Sequence, residues 1–171
     1  MSSCQEERVA DLPLENYCPY FKNRAPEPQP DLRNCTWYRE KSCCLSKELD
    51  IILEDIPPPT GANQKCLKML NYLMCFVCAP NQNVFYKDER LTVCIDFCNE
   101  LFDACGNAYL KGSKIRDFYL SGTDFCLSRK FKVSAEKDVC YSPYNEDESS
   151  ASSTQINVLF LMLGTVIVTG L

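Results

Sequence analysis

Cysteine side chains carry most of the chemistry that this sequence offers, because its 171 residues include thirteen cysteines and no histidine. Thiols can pair as disulfides, ligate metals or act as nucleophiles once deprotonated. All thirteen lie within the first 140 residues, about 9% of that stretch (13 of 140), a density typical of secreted disulfide scaffolds. We expect one leftover thiol, Cys4, and twelve disulfide cysteines: Cys18, Cys35, Cys43, Cys44, Cys66, Cys75, Cys78, Cys94, Cys98, Cys105, Cys126 and Cys140.

The absence of histidine removes several kinds of active site. Without imidazole there is no Ser-His-Asp triad, no Cys-His dyad and no zinc site with a histidine ligand. No pair of carboxylates has a spacing that indicates an acid and a base. The sequence therefore predicts a protein that is not an enzyme and that uses no cofactor and no metal.

A competing interpretation is an intracellular zinc protein. Cys75 and Cys78, with Cys94 and Cys98, could supply four thiolates to one ion. The same Cys-x-x-Cys spacing also occurs in redox enzymes. The zinc interpretation leaves the remaining nine cysteines without a role, and the redox interpretation leaves still more, so a disulfide scaffold is the better prediction.

The charge of the chain argues against nucleic acid as a partner. The formal net charge is −5, whereas nucleic-acid binding needs a basic surface that displaces counterions. One basic run is interrupted by Asp117 and Asp124, and we expect it to be an ordinary solvated face. Its members are Lys111, Lys114, Arg116, Arg129, Lys130 and Lys132.

The C-terminal residues match a glycosylphosphatidylinositol (GPI) attachment signal. Residues 158–171 are uncharged and apolar, but as a helix they span only about 21 Å of a hydrocarbon layer of about 30 Å. Small residues from Ser149 and a short polar spacer at residues 154–157 precede them. We expect Ser149 to be the attachment residue and the protein to lie on the outer face of the plasma membrane. A truncated transmembrane helix is the alternative.

Two further features concern secretion. The first ten residues contain no apolar segment of a signal peptide, although lipid attachment requires entry into the lumen, so we expect a signal peptide upstream of Met1. Asn34-Cys35-Thr36 is an N-glycosylation sequon. We therefore expect a glycoprotein modified at Asn34.

Composition divides the chain into four parts. Residues 1–17 form a polar N-terminal arm, and residues 18–144 form one cysteine-rich domain. Residues 145–157 form an acidic and Ser-rich stalk, and residues 158–171 form the hydrophobic attachment signal.

Apolar periodicity predicts a few short elements within the domain. A helix should begin at Ser46 and end before the Pro57–Pro59 run, and a largely buried helix should cover residues 66–78. Residues 84–86 are the best strand candidate. The last predicted helix runs from Ser113 to about Gly122.

The strongest predicted helix runs from about Thr92 to Tyr109. Cys94, Cys98 and Cys105 recur at steps that place them on one face, so each should reach a different segment of the chain. The adjacent pair at residues 43 and 44 should likewise serve two separate bridges. This helix is therefore expected to be the hub of the fold.

The complete cysteine pattern resembles the folate-receptor-type cysteine-rich domain. The resemblance covers roughly residues 18–144, and the spacing is nearer to the N-terminal domain of hedgehog-interacting-like proteins than to the vitamin receptors. It implies a mainly α-helical, disulfide-rich extracellular domain with short β-strands. The motifs that carry it are Cys43-Cys44, Cys66-x8-Cys75, Cys78-Ala79-Pro80, Cys94-x3-Cys98-x6-Cys105, Phe125-Cys126 and Cys140.

The resemblance also implies where a ligand would bind. A pterin pocket of this family uses stacked aromatic rings and a carboxylate, for which Asp55 lies at the matching distance and Asp50 is the fallback. Trp37 and Tyr86 are further candidates for ligand contact. Residues 45–65 contain no aromatic side chain, however. We therefore expect recognition of an extracellular protein partner, with folate or another vitamin-like small molecule as the alternative.

Overall fold

A computed structural model describes residues 16–54 and 56–143 of the chain. The helices in these ranges are short, and 3-10 turns lie between and beside them. Their bounds are α1 Ser46–Glu54, α2 Gln64–Met74, α3 Gln82–Phe85, α4 Ile95–Cys105, α5 Ile115–Phe118 and α6 Gly122–Ser128, and the 3-10 turns are Pro19–Phe21, Thr36–Tyr38, Cys75–Cys78 and Lys137–Val139. The predicted class, mainly α with short strands, is confirmed.

The strands are few and short. Strand β1 (Tyr86–Lys87) pairs antiparallel with β2 (Arg90–Cys94), and β2 pairs in parallel with β5 (Lys132–Ser134), with Val93 opposite Val133. A separate hairpin joins β3 (Tyr109–Leu110) to β4 (Ser113–Lys114). These ladders are too small to form a core, so helices and disulfides hold the domain together.

Six disulfides connect segments that are distant in sequence. Helix α4 and the residue before it contribute three cysteines, and these reach three different segments, which confirms α4 as the hub. The adjacent cysteines at positions 43 and 44 also serve separate bridges. The pairs are Cys18–Cys43, Cys35–Cys75, Cys44–Cys78, Cys66–Cys105, Cys94–Cys140 and Cys98–Cys126. Cys4 lies outside the described residues.

Helix α4 lies at the centre of the core because one of its faces is apolar. Phe97, Cys98, Leu101 and Cys105 are each at most 1% exposed. Helices α2 and α6 both pack against α4, and each is joined to it by a disulfide. Disulfides therefore hold α2 and α6 against α4 in addition to side-chain packing.

The structure corrects two predicted bounds near β2. Residues 84–86 were predicted as a strand, but the helical turn α3 ends at Phe85 and only Tyr86 begins a strand. The buried Gln82 side chain holds this turn, because its amide donates to Val77 O and its Oε1 accepts from the Tyr20 N–H at 3.2 Å. The helix predicted from Thr92 begins only at Ile95, since Thr92 pairs with Lys132 in the sheet.

The helix predicted from Ser113 to about Gly122 is present only as the turn α5, Ile115–Phe118, and both of its predicted bounds are wrong. Ser113 lies in β4, the helical turn α5 ends at Phe118, and Gly122 begins a further helix, α6, instead of ending one. The Ser121 side chain caps α6 by accepting from the Asp124 N–H at 3.1 Å. A glycine is present because α6 lies so close to α4 that a Cβ atom at position 122 would be 2.5 Å from Asn99 N.

An ion pair ties the first residues of the cysteine-rich domain to the start of α1. The Arg24 guanidinium contacts Glu48 at 2.5 Å, donates to Cys43 O and lies 4.1 Å above the Phe21 ring centroid. Glu48 Oε2 also accepts from the Leu45 N–H at 3.0 Å, a capping interaction. The hydrogen bonds from Arg24 are the main reason that the pKa of Glu48 is lowered from 4.5, against a smaller effect of burial.

We expect Glu48→Gln to reduce stability at neutral pH but not in acid. Because the folded-state pKa lies below the unfolded one, the carboxylate stabilises the fold above pH 4.5, and this contribution is lost as the pH falls through the folded-state pKa. The pair is more than a third exposed on the Glu48 side, so the loss should be at most about 1 kcal/mol. Urea unfolding at about pH 7 and about pH 3 measures it.

Glu54→Gln, at the other end of α1, makes the same change in net charge without touching Arg24 and is the control. An equal loss for both variants, or a loss for Glu48→Gln that persists in acid, would contradict this assignment.

Candidate functional site

An apolar groove of about 640 Å³ is the best candidate for a binding site in the described part of the chain. Its walls come from the end of α1, the following proline loop, one side of α2, the end of α4, the segment around α5, and α6 with the residues after it. The lining residues are Asn34, Leu53, Ile56, Pro57, Pro58, Pro59, Leu67, Leu70, Asn71, Leu73, Met74, Leu101, Cys105, Leu110, Ile115, Phe125, Arg129 and Phe131.

Helix α2 supplies the longest wall because it is apolar on two sides. Cys66, Met69 and Leu73 are buried in the core. Leu67, Leu70, Asn71 and Met74 lie at positions i, i+3, i+4 and i+7, which form one stripe along the helix, and they line the groove half-buried. The apolar side chains of α2 that do not face the core therefore line the groove.

The opposite edge is the proline loop, Pro57–Pro59. Proline has a fixed φ and no N–H, so three in succession leave a stiff segment with few donors. Its far end is pinned where the Tyr109 N–H donates to Thr60 O at 2.8 Å. Gly61 follows with φ +74°, a conformation that favours glycine. The loop is thus a fixed wall of the groove.

Arg129 is the one cation among the described lining residues. Its guanidinium lies 5.3 Å from the centroid of the Phe125 ring, and Nη2 donates to Tyr119 Oη at 3.5 Å. In the described part of the chain, no carboxylate lies within 4 Å of it. Since a guanidinium carries five N–H donors, its contacts with the described residues leave most of them for a ligand.

The structure does not bring the predicted ligand residues together. Asp50 is exposed on α1 and does not line the groove. Trp37 packs edge-on against Tyr72, with ring centroids 5.3 Å apart, and is also outside it. Asp55 lies outside the described residues, between the lining residues Leu53 and Ile56, and its role stays a prediction.

Tyr86 belongs to a different aromatic cluster. Its ring stacks on Phe76 at 5.8 Å and meets Tyr20 edge-on at 5.5 Å. Burial, with smaller effects of Tyr20 and Glu89, raises the pKa of Tyr86 above its ordinary value of 10.0. This cluster fastens the 3-10 turn Pro19–Phe21 to β1 and forms no wall of the groove.

Not every aromatic side chain of the domain is available to a protein partner. Phe85 and Tyr141 are 3% and 2% exposed, so neither can anchor a partner. Large apolar side chains are exposed elsewhere in the domain, for example at Phe118, Leu120 and Leu127, and Leu120 is 95% exposed. Recognition of a protein partner stays a prediction.

Other predictions about modification and metal binding have mixed outcomes. Asn34 is exposed at the rim of the groove, so a glycan there, which stays a prediction, would stand beside the opening. Ser149 lies outside the described residues. The four cysteines of the zinc interpretation belong to four different disulfides, which leaves them no thiolates. Between residues 16 and 143, leaving out 55, no helix is long and apolar enough to cross a membrane.

Sequence reasoning missed the groove because its walls are far apart in sequence. The stripe on α2 was detectable from its spacing, and it was interpreted as core. Arg129 was assigned to a solvated basic run, since only the fold places it in the same groove as the α2 stripe and the proline loop.

Comparisons with known proteins agree with this architecture. Residues 17–157 match the model of the folate receptor family. The chain is 25% identical over 144 residues to Folate-binding protein 1 of Arabidopsis thaliana, which covers 72% of this chain and 47% of that protein. It is 24% identical over 164 residues to the riboflavin-binding protein of Gallus gallus, and 23% to that of Dromaius novaehollandiae, covering 71% of this chain and 68% of each relative.

The chain spans about half the length of the Arabidopsis relative. The family model, by contrast, matches well over half of the chain and includes all twelve disulfide cysteines. The resemblance of the cysteine pattern is therefore confirmed, and the chain belongs to the folate receptor family.

Proposed function

We propose that this protein is a non-enzymatic binding module that holds one small, largely apolar ligand in the groove. The observation that carries the proposal is the groove itself, about 640 Å³ and walled by elements that disulfides hold in place. Its volume lies within the range of about 300–1,000 Å³ of small-molecule sites. Because the scaffold is already ordered, little conformational entropy of the protein is lost on binding.

Relatives named for folate and riboflavin binding favour a small ligand over a protein partner. They support the vitamin-like alternative better than the protein recognition that the missing aromatics suggested. Members of such a family act by binding, which supports a non-catalytic role for this chain as well.

We also propose that the module works outside the cell, attached to the plasma membrane by a GPI anchor at Ser149. Six disulfides support an oxidising compartment, since such bonds are rare in the cytosol. The small residues and apolar segment at the C-terminal end of the sequence support the anchor. Release of the protein from cells by a phosphatidylinositol-specific phospholipase tests it, and protein that stays on the cells would contradict it.

Leu70→Trp is expected to abolish binding in the groove. Leu70 lies half-buried in the middle of the α2 stripe, and an indole there would occupy the space of a ligand. The purified protein is titrated with the apolar fluorescent probe 1-anilinonaphthalene-8-sulfonate, and with folic acid and riboflavin by calorimetry. We expect saturable 1:1 binding of at least one of these, and at least a tenfold loss of affinity in Leu70→Trp.

Ile51→Trp is the matched control, because Ile51 is 62% exposed on α1 and does not line the groove. It should bind as the unmodified chain does. Binding that Leu70→Trp leaves unchanged, or no binding of any of the three compounds, would contradict the proposed function. A loss of folic acid binding in Asp55→Asn would identify Asp55 as the carboxylate that holds a pterin.

A further inference from the structure

The walls of the groove are aliphatic where a flat ring would need aromatic partners. Twelve of its eighteen described lining residues are leucine, isoleucine, methionine or proline. Such side chains cover a flexible hydrocarbon as well as any other apolar shape, since the hydrophobic effect is not directional. They provide no stacking surface that would select a heterocycle.

The two aromatic residues of the lining do not form a sandwich. Phe125 is only 6% exposed, and its ring is already packed against Tyr119 at 5.3 Å, Phe102 at 6.2 Å and the Arg129 guanidinium. Phe131 is then left as the one ring of the described lining that could meet a ligand. One ring can contact a heterocycle, but two facing rings are needed to enclose it.

The charge of the lining is a second property that restricts which ligand can bind. Arg129 is held at the groove by Phe125 and Tyr119, and the described lining contains no carboxylate to neutralise it. A guanidinium forms two parallel hydrogen bonds with a carboxylate. A ligand that satisfies both the walls and this cation has an apolar body and one anionic end.

We propose that the groove binds an aliphatic carboxylic acid, with its hydrocarbon chain along α2 and the proline loop and its carboxylate on Arg129. This inference rests on the proposed function and assigns a ligand class to the same site. It departs from the names of the relatives because the side chains of this groove differ from what a stacked heterocycle requires.

A chain-length series tests the apolar part of this proposal. Octanoic, decanoic and dodecanoic acids, below their micellar concentrations, should displace 1-anilinonaphthalene-8-sulfonate from the unmodified chain. Affinity should rise about fourfold for each added methylene, as expected when the chain leaves water. Leu70→Trp should bind none of the acids, whereas Ile51→Trp should bind them all.

A comparison of head groups tests the role of Arg129. Dodecanoic acid should bind about tenfold more tightly than dodecanol, because only the acid forms a charge-assisted pair. Arg129→Gln should remove this preference and leave the chain-length dependence intact. Lys130→Gln removes the neighbouring exposed cation, which does not line the groove, and should keep the preference.

The remaining outcomes separate this inference from the proposed function. Folic acid or riboflavin binding that depends on Leu70, without binding of the acids, would overturn the inference and leave the function standing. No Leu70-dependent binding of any compound would overturn both.

Discussion

Gly122→Ala is expected to destabilise the domain by about 2–3 kcal/mol, although it adds only one methyl group, at the buried start of α6. The added Cβ would meet the backbone of α4 at Cys98 O and at Asn99, 2.5 Å from Asn99 N. Backbone atoms cannot turn aside as a flexible side chain can, so α6 or α4 would have to move. The Cys98–Cys126 disulfide, which joins the same two helices, limits that movement.

The sign of the effect is the informative part of this prediction. Where space allows, replacing a helical glycine by alanine stabilises a protein by about 0.4–1 kcal/mol, because the unfolded chain loses freedom. Guanidinium unfolding of the oxidised protein measures the change. Gly112→Ala is the contrasting variant, since nothing lies within 4 Å of its Cβ position, and its φ of +86° alone should cost about 1 kcal/mol. A neutral or stabilising Gly122→Ala would contradict the close approach of α6 to α4.

Removal of the Cys66–Cys105 bridge, as Cys66→Ala with Cys105→Ala, is expected to cost about 4 kcal/mol and to weaken ligand binding. The bridge closes a loop with a sequence separation of 39, and the stabilisation follows from the restriction of the unfolded chain. It also joins α2 to α4, and both helices line the groove. Without it, the distance between those two walls depends on side-chain packing alone.

The Cys18–Cys43 bridge is the matched comparison. Its sequence separation of 25 gives a similar expected cost, about 3.5 kcal/mol, but it ties down the first residues of the domain and neither cysteine lines the groove. Both double variants should lose stability in guanidinium, whereas only the first should lose at least tenfold in affinity for 1-anilinonaphthalene-8-sulfonate. Equal losses of affinity in both variants would show that the groove depends on overall stability and not on the α2–α4 bridge.

Helices with strong periodicity could be predicted from the sequence, and short elements could not. The helix begun at Ser46 and the hub helix α4 were predicted because several apolar residues repeat along them. The strand predicted at residues 84–86 and the bounds of the helix predicted at residues 113–122 were wrong, because single turns contain too few residues to show a period. The sequence predicts Gly122 as a helix end. The structure requires a glycine there for another reason, because a Cβ atom would collide with the backbone of α4 at Asn99, 23 residues earlier in the chain.

Chemistry that depends on residue type was determined by the sequence alone. Thirteen cysteines without histidine excluded imidazole chemistry and required cross-links between distant segments, and the spacing on one helical face identified α4 as their centre. The tertiary structure decided which cysteines pair and what the scaffold encloses. Leu70, the proline loop and Arg129 meet at one groove only after three disulfide-linked helices have packed, because a binding site is a property of distances across the fold and sequence spacing encodes only distances along one element.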